Sequence, residues 1–79
     1  MNLQGVEYRF QVASDVAARD GIGLECFRIA AGKEELVLEV FRDDTKQTWT
    51  YSQFAESLPL ELIEYISAIA RKELGDFVR

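Results

Sequence analysis

Short segments in which apolar and polar residues alternate occupy most of the chain before residue 53. In VEYRFQV, which begins at Val6, every second side chain is apolar, and this is the period of a half-buried β-strand. Three later runs, IGLECFRIAA, ELVLEVFRD and KQTWTYS, are rich in the β-branched and aromatic residues that favour strands. Gly32 and the polar stretch RDDTK separate these runs, so the pattern predicts consecutive antiparallel hairpins.

The amino-terminal stretch also fits a second interpretation. Apolar residues from Val6 to Val16 also occur at helical spacing, although the β-rich composition favours a strand for VEYRFQV. In ASDVAARDG, Ser14 or Asp15 could cap one or two helical turns, which Gly21 would end. This part of the chain therefore forms either an added strand or a short helix.

The clearest single element is a helix near the carboxyl terminus. In SLPLELIEYISAIARKELGDF, apolar residues recur at helical spacing and form one face. Pro59 suits a first turn, where its missing N–H costs nothing, and Gly75 suits the end of a helix. The sequence predicts a helix over approximately residues 58–75. Its apolar face consists of Leu62, Ile63, Ile66, Ile69, Ala70, Leu74 and Phe77.

Together these elements predict the fold class. The chain has 79 residues, so residues 1–79 are interpreted as a single small α+β domain. We expect an antiparallel sheet of three to four strands, a β-meander, with one long carboxy-terminal helix packed across one face. A domain this short buries a modest core and often gains stability from self-association.

Strand parity predicts which face of the sheet the helix covers. We place two-residue turns at Gly32–Lys33 and Asp44–Thr45. A four-residue loop around the second pair would give the same parity, whereas a three-residue loop would reverse it. On the third strand, Leu36, Leu38 and Val40 form a face without a charge, so this should be the core face of the sheet. Its members are Phe27, Ile29, Leu36, Leu38, Val40, Trp49 and Tyr51.

The opposite face of the sheet is less polar than a solvated face usually is. By the same register it carries Leu24, Val37 and Phe41 close together, with Cys26 beside them. Contiguous apolar patches on small domains tend to be covered. We therefore expect Leu24, Val37 and Phe41 to form an interface with a protein partner, and the simplest partner is a second copy in a two-fold homodimer.

Charge and composition narrow the classes of partner. The formal net charge is −5, so we expect no binding to nucleic acid and none to an anionic membrane. The amino terminus lacks the features of a signal peptide, and no apolar run has the length of a transmembrane helix. The single cysteine fits a reducing compartment. We expect a soluble cytoplasmic protein.

Candidate chemistry is sparse. The chain has no histidine and one cysteine, so we expect neither a zinc site nor an internal disulfide. Cys26 lacks a histidine partner and is interpreted as a packed apolar side chain, and Asp43 and Asp44 as a polar turn. The motifs GxGxxG, GxxxxGK and GxSxG do not occur. We therefore expect no catalytic residue, no metal, no cofactor and no enzymatic activity.

Two functions follow from these expectations. The first is a non-catalytic protein-interaction or self-association module, which rests on the apolar outer face. The alternative is a small acidic inhibitor or antidote, of the immunity or antitoxin kind, that binds a basic or nucleic-acid-binding partner. A clustered acidic surface would favour the alternative. A ligand-binding domain or an enzyme would instead require a pocket with convergent polar groups.

Overall fold

Five antiparallel strands in sequential order and one helix form the structure, a computed structural model that describes residues 1–14 and 20–78. The α+β meander predicted from the sequence is confirmed, although the sheet has five strands rather than three or four. The elements are β1 (Asn2–Leu3), β2 (Val6–Ala13), β3 (Gly21–Ala30), β4 (Lys33–Asp43), β5 (Thr48–Gln53) and α1 (Leu60–Leu74).

The amino-terminal stretch forms strands where the structure describes it. β2 confirms the strand interpretation of VEYRFQV and pairs with β3. The unexpected strand, β1, pairs with β2 across a tight turn in which Gln4 and Gly5 have φ angles of 53° and 83°. The helical turns considered after Ser14 fall on residues 15–19, which lie outside the described residues.

The turn between β3 and β4 sets their register. Ala31 and Gly32 both have positive φ angles, 51° and 74°, and a two-residue turn of this kind matches the twist of the flanking strands. Ala30 pairs with Lys33. The turn therefore lies one residue earlier than the predicted pair Gly32–Lys33.

A β-bulge in β4 then decides which side chains enter the core. Phe27 pairs with Leu36, but the preceding residue, Cys26, pairs with Leu38. Val37 is therefore the extra residue of β4, and it is fully buried. The bulge shifts the pairing of all residues beyond it by one position.

Because of the bulge, the residues of β3 lie on the faces of the sheet opposite to those predicted. Leu24 pairs with Val40 and Cys26 with Leu38, and all four belong to the buried cluster that includes residues of α1. The prediction that Leu24 and Cys26 lie on the outer face is wrong, because a one-residue change of register moves a side chain to the other face. Three residues predicted for the core lie on the outer face for the same reason: Phe27, Ile29 and Leu36.

The core is one layer between the sheet and α1. The helix begins after Pro59 and ends before Gly75, whose φ of 72° suits glycine, so the predicted end is confirmed, whereas Pro59, predicted for the first turn, lies at the N-cap position just before it. Each large apolar side chain buried in the layer contributes about 2 kcal/mol. The buried residues are Tyr8, Leu24, Cys26, Val37, Leu38, Val40, Leu62, Ile66, Ala70 and Leu74.

The hairpin of β4 and β5 closes through a four-residue loop, residues 44–47. Arg42 pairs with Trp49 and Val40 with Tyr51, so both aromatic residues lie on the helix side, as predicted. Trp49 is half-buried, but Tyr51 is 51% exposed. The prediction that Tyr51 is a core residue is wrong, because α1 packs over β3 and β4 and does not extend across β5.

A buried arginine ties the end of α1 to this hairpin. The Arg42 guanidinium donates hydrogen bonds to both carboxylate oxygens of Asp44, at 2.9 and 3.2 Å, and to the carbonyl oxygen of Leu74. The Asp44 carboxylate also accepts a hydrogen bond from the Val78 N–H at 3.1 Å. These contacts satisfy a carbonyl at the helix end and hold that end beside β5.

Replacement of a central helix residue tests the predicted core face. Ile66 is fully buried in the middle of α1. We expect Ile66→Ala to lower the free energy of unfolding by about 3 kcal/mol, since it removes buried atoms and leaves a cavity. Lys72→Ala, at an exposed position of the same helix, should change it by less than about 0.5 kcal/mol. Equal effects of the two changes in urea unfolding would contradict the packing described.

The Arg42–Asp44 pair predicts a pH dependence of stability. Desolvation alone would raise the pKa of the Asp44 carboxyl, but hydrogen bonds from Arg42 and Val78 outweigh it and hold this pKa below its usual 3.8. The ionised carboxylate therefore stabilises the fold fully above pH 3.8, and this contribution is lost as the pH falls through the lower pKa of the folded state.

Asp44→Asn should accordingly lower the melting temperature at neutral pH and reduce the further loss of stability on acidification. Calorimetry at neutral pH and below pH 3.8 measures both effects. The control is Asp76→Asn, at an exposed position. If Asp44→Asn kept the parent's pH dependence, the pair would not hold the helix end as described.

Candidate functional site

The three residues expected to form an interface do not share an open face. Leu24 is 3% exposed and Val37 is fully buried, and both belong to the core beneath α1. Phe41 lies on the opposite face, where it is 2% exposed and lies against Gly21 and Gly23. The predicted common surface of Leu24, Val37 and Phe41 is therefore wrong in its register, whereas association with a partner stays a prediction.

An open cleft lies instead between β5 and α1. It has a volume of about 190 Å³ and is bounded by the strand on one side and by the second half of the helix on the other. The cleft exists because α1 packs over β3 and β4 and leaves the helix side of β5 uncovered around Tyr51. The residues that line it are Val40, Trp49, Thr50, Tyr51, Ser67 and Arg71.

Arg71 gives the cleft its positive charge. Its guanidinium lies over the Trp49 ring, 5.4 Å from the ring centroid, and the Phe77 ring lies 6.0 Å from the Trp49 ring. Among the residues that the structure describes, no carboxylate forms an ion pair with Arg71. The Ser67 hydroxyl donates a hydrogen bond to the Ile63 carbonyl at 2.7 Å, and its oxygen retains acceptor capacity. The cleft therefore suits a polar or acidic side chain.

The outer edge of β5 is open. The Phe54 N–H donates a hydrogen bond to the Val37 carbonyl at 2.9 Å. Because successive residues of a strand direct their backbone groups to opposite sides, the N–H and C=O groups of Trp49, Tyr51 and Gln53 point away from β4. β5 is the last strand of the sheet, and no other main-chain group in the described ranges bonds to this edge. Three residues thus offer donors and acceptors to solvent or to another strand.

β5 lacks the features that usually protect an edge strand. Its sequence, TWTYSQ, has no charged residue and no proline, and its pairing with β4 is free of bulges. The opposite edge consists of β1, which is only two residues long, and of the part of β2 beyond it, which carries the charged residue Arg9. Two large side chains flank the open edge, Tyr51 at 51% exposure and Phe54 at 58%. In the part of the chain that the structure describes, β5 is the surface best suited to accept a strand.

Several carboxylates are distributed among separate ion pairs. Arg9 pairs with Glu34 at 2.7 Å and Arg28 with Glu35 at 2.6 Å, while the terminal ammonium group pairs with Glu7 at 2.9 Å. The hydrogen bond from Arg9 is the main cause of a pKa of Glu34 below its usual value. The charges of these three carboxylates are thus neutralised locally.

Neither Cys26 nor the adjacent aspartates form a reactive centre. Cys26 is fully buried, as the interpretation of a packed side chain requires, and burial raises the pKa of its thiol to about 11. The reactive thiolate is therefore scarce at neutral pH. The Asp43 carboxylate accepts a hydrogen bond from the Lys46 N–H at 3.0 Å, which confirms the polar turn.

Two further kinds of site are absent from residues 1–14 and 20–78. No three acidic or cysteine side chains in these ranges lie close enough together to hold a metal ion. No helix in them combines the length and the apolar character needed to cross a bilayer.

The sequence reasoning assigned Trp49 and Tyr51 of β5 to the core and missed the edge. A signal was available in TWTYSQF, a run without charge or proline at the end of the meander. Arg71 was not identified because a basic residue in the last turn of a helix is already explained by the helix dipole.

Comparisons with protein-family models, curated proteins and solved structures yield no match to this chain. The geometry of β5 and of the cleft beside it therefore provides the evidence for a function.

Trp49 is the only tryptophan of the chain, so its fluorescence reports on the cleft. We expect Arg71→Ala to shift the emission to the red and to increase quenching by acrylamide, because the guanidinium covers one side of the ring. The loss of stability should be about 0.5 kcal/mol, as for an exposed cation–π contact. The neighbouring Lys72→Ala should leave the emission unchanged, and an identical response of both variants would refute the contact.

Proposed function

We propose that the protein is a non-catalytic protein-interaction or self-association module that binds an extended strand along β5. The observation that carries this proposal is the open, uncharged edge of β5, where the backbone groups of Trp49, Tyr51 and Gln53 point away from the sheet. An added strand would bond to all three residues and extend the sheet.

In strand addition, the backbone and the side chains contribute to recognition in different ways. Main-chain hydrogen bonds supply affinity for any extended segment, whereas pockets for alternate side chains supply specificity. The cleft between β5 and α1 would receive side chains on the helix side of the added strand. Its exposed cation, Arg71, favours an acidic or polar side chain at that position.

The alternative, an acidic inhibitor or antidote, has less support. It would act through a clustered acidic surface. Glu25 and Glu39 are cross-strand neighbours on the outer face, but other carboxylates are held in separate ion pairs with Arg9, Arg28 and Arg42. We further propose a cytoplasmic location, which is supported by the single buried thiol.

Photocrosslinking in the native cell tests the proposed surface. The photoreactive residue p-benzoylphenylalanine replaces Tyr51, beside the open edge, or Tyr65, which is 40% exposed on α1 and contacts Phe10. We expect a discrete crosslinked product from position 51 and none from position 65. Products of equal yield from both positions, or none from position 51, would contradict the proposal.

A blocked edge provides the matched control. Gln53→Pro removes an N–H that points away from β4, and proline is tolerated at such positions of edge strands. We expect this change to abolish the crosslink from position 51 while the circular dichroism of the domain stays that of the parent. Persistence of the crosslink would show that the product does not depend on strand addition.

A further inference from the structure

We propose that the strand added to β5 belongs to a second copy of this chain, so that two copies join β5 to β5 about a two-fold axis beside Tyr51. This inference rests on the proposed function and names the partner. Antiparallel pairing of the two edges would merge two five-stranded sheets into one sheet of ten strands.

The backbone of β5 selects one register for this pairing. Trp49, Tyr51 and Gln53 direct their N–H and C=O groups outward, and Tyr51 is the middle residue of the three. A two-fold axis at Tyr51 pairs this residue with its own equivalent and pairs Trp49 with Gln53 of the second copy. Each of the three pairs exchanges two hydrogen bonds, so all the outward groups of both strands are used.

The side chains of β5 are compatible with this register. On the helix side the two Tyr51 rings lie next to each other at the axis, and aromatic cross-strand pairs are favourable. On the other side Thr50 stands opposite Ser52 of the second copy, and Thr48 opposite Phe54. No like charges meet along the strands, although each copy carries a formal net charge of −5.

Charges on α1 favour a second copy over an unrelated neutral strand. Ser67 and Arg71 line the cleft beside β5, and Glu64 lies on the same helix face because it precedes them by three and seven residues. Leu74 is held beside Arg42, the partner of Trp49, so α1 runs antiparallel to β5 and Glu64 lies toward the carboxyl end of the strand.

The two-fold axis then places the basic side chain on α1 of one copy opposite the acidic side chain on α1 of the other. Trp49, with Arg71 over it, faces Gln53 of the second copy, and Glu64 of that copy lies at the same end of its strand. Arg71 of one helix therefore faces Glu64 of the other helix across the groove between them. The two-fold axis repeats this arrangement at the other end of the groove. An exposed cation without an ion pair among the described residues gains a complementary charge in this arrangement.

Charge variants at the axis test the partner and the register together. Because residue 51 meets only its own equivalent, Tyr51→Lys and Tyr51→Glu each place like charges directly opposite each other. We expect the parent to be a dimer and each variant alone to dissociate about tenfold more readily. An equimolar mixture of the two variants should restore a heterodimer. Sedimentation velocity and native mass spectrometry, over a dilution series, measure the association of the parent, of each variant alone and of the mixture.

Variants at an exposed position away from the edge serve as controls. Lys72→Glu changes the charge of the chain by more than either substitution at residue 51 does, and it should leave the dimer intact. A parent protein that is monomeric at every concentration would overturn the inference. Variants that dimerise alone as tightly as they do together would overturn the register.

Disulfide crosslinking gives an independent readout of the axis. The Cα atoms of a hydrogen-bonded antiparallel pair lie about 5.5 Å apart, within the range that a disulfide spans. Tyr51→Cys should therefore form a covalent dimer on mild oxidation, whereas Thr50→Cys should not, because its equivalent lies two positions away along the strand. Cys26 is buried and contributes no background. Equal crosslinking of both variants would refute the register.

The identity of the protein that is crosslinked in the cell to position 51 distinguishes the interaction module from the second copy. If the purified protein is monomeric but the cellular crosslink joins it to a different protein, the second copy is refuted and the interaction module stands. If neither self-association nor a cellular crosslink occurs, both proposals fail.

Discussion

One helix has to cover a five-stranded sheet that is wider than the helix. This mismatch of widths determines which part of the sheet stays exposed. An α-helix with its side chains is about 10–12 Å across, whereas five strands spaced about 4.8 Å apart extend roughly 19 Å between the outermost backbones. α1 packs over β3 and β4 and buries the side chains beneath it completely. The helix side of β5 stays uncovered, so Tyr51 is exposed and a cleft opens beside it.

Two local features fix where the helix lies. The bulge at Val37 directs Leu24 and Cys26 toward α1, which gives the helix an apolar surface centred on β3 and β4. The hydrogen bonds of Arg42 then hold the carboxyl end of α1 at the β4–β5 hairpin. Arg71 is thereby placed above Trp49. The cleft and the free edge are consequences of this packing, which no ligand is needed to explain.

The sequence predicted the helix and strands well. It predicted poorly which face of the sheet the residues of β3 occupy and how far the helix extends across the strands. Periodicity identified α1, and its ends were marked by Pro59, whose ring restricts φ, and by Gly75, which readily adopts the positive φ found after the last turn. The faces of β3 were assigned wrongly, since the bulge at Val37 reverses the parity and has no clear signature in a run of apolar residues. The turn at Ala31 and Gly32 moved the register but not the faces, because a two-residue turn that shifts by one position keeps strand parity. The exposure of Tyr51 depends on how far the helix extends across the sheet, and strand parity carries no information on that distance.

Amide hydrogen exchange along β5, followed as a function of protein concentration, tests whether a second copy pairs with this open edge. We predict that the amides of Trp49, Tyr51 and Gln53 exchange freely in dilute solution and become protected at high concentration. The amides of Thr50 and Ser52, which point toward β4, should be protected throughout. Protection of both sets at all concentrations would mean that the edge is already closed within one chain. Free exchange of the first set at every concentration would mean that no second copy pairs with it.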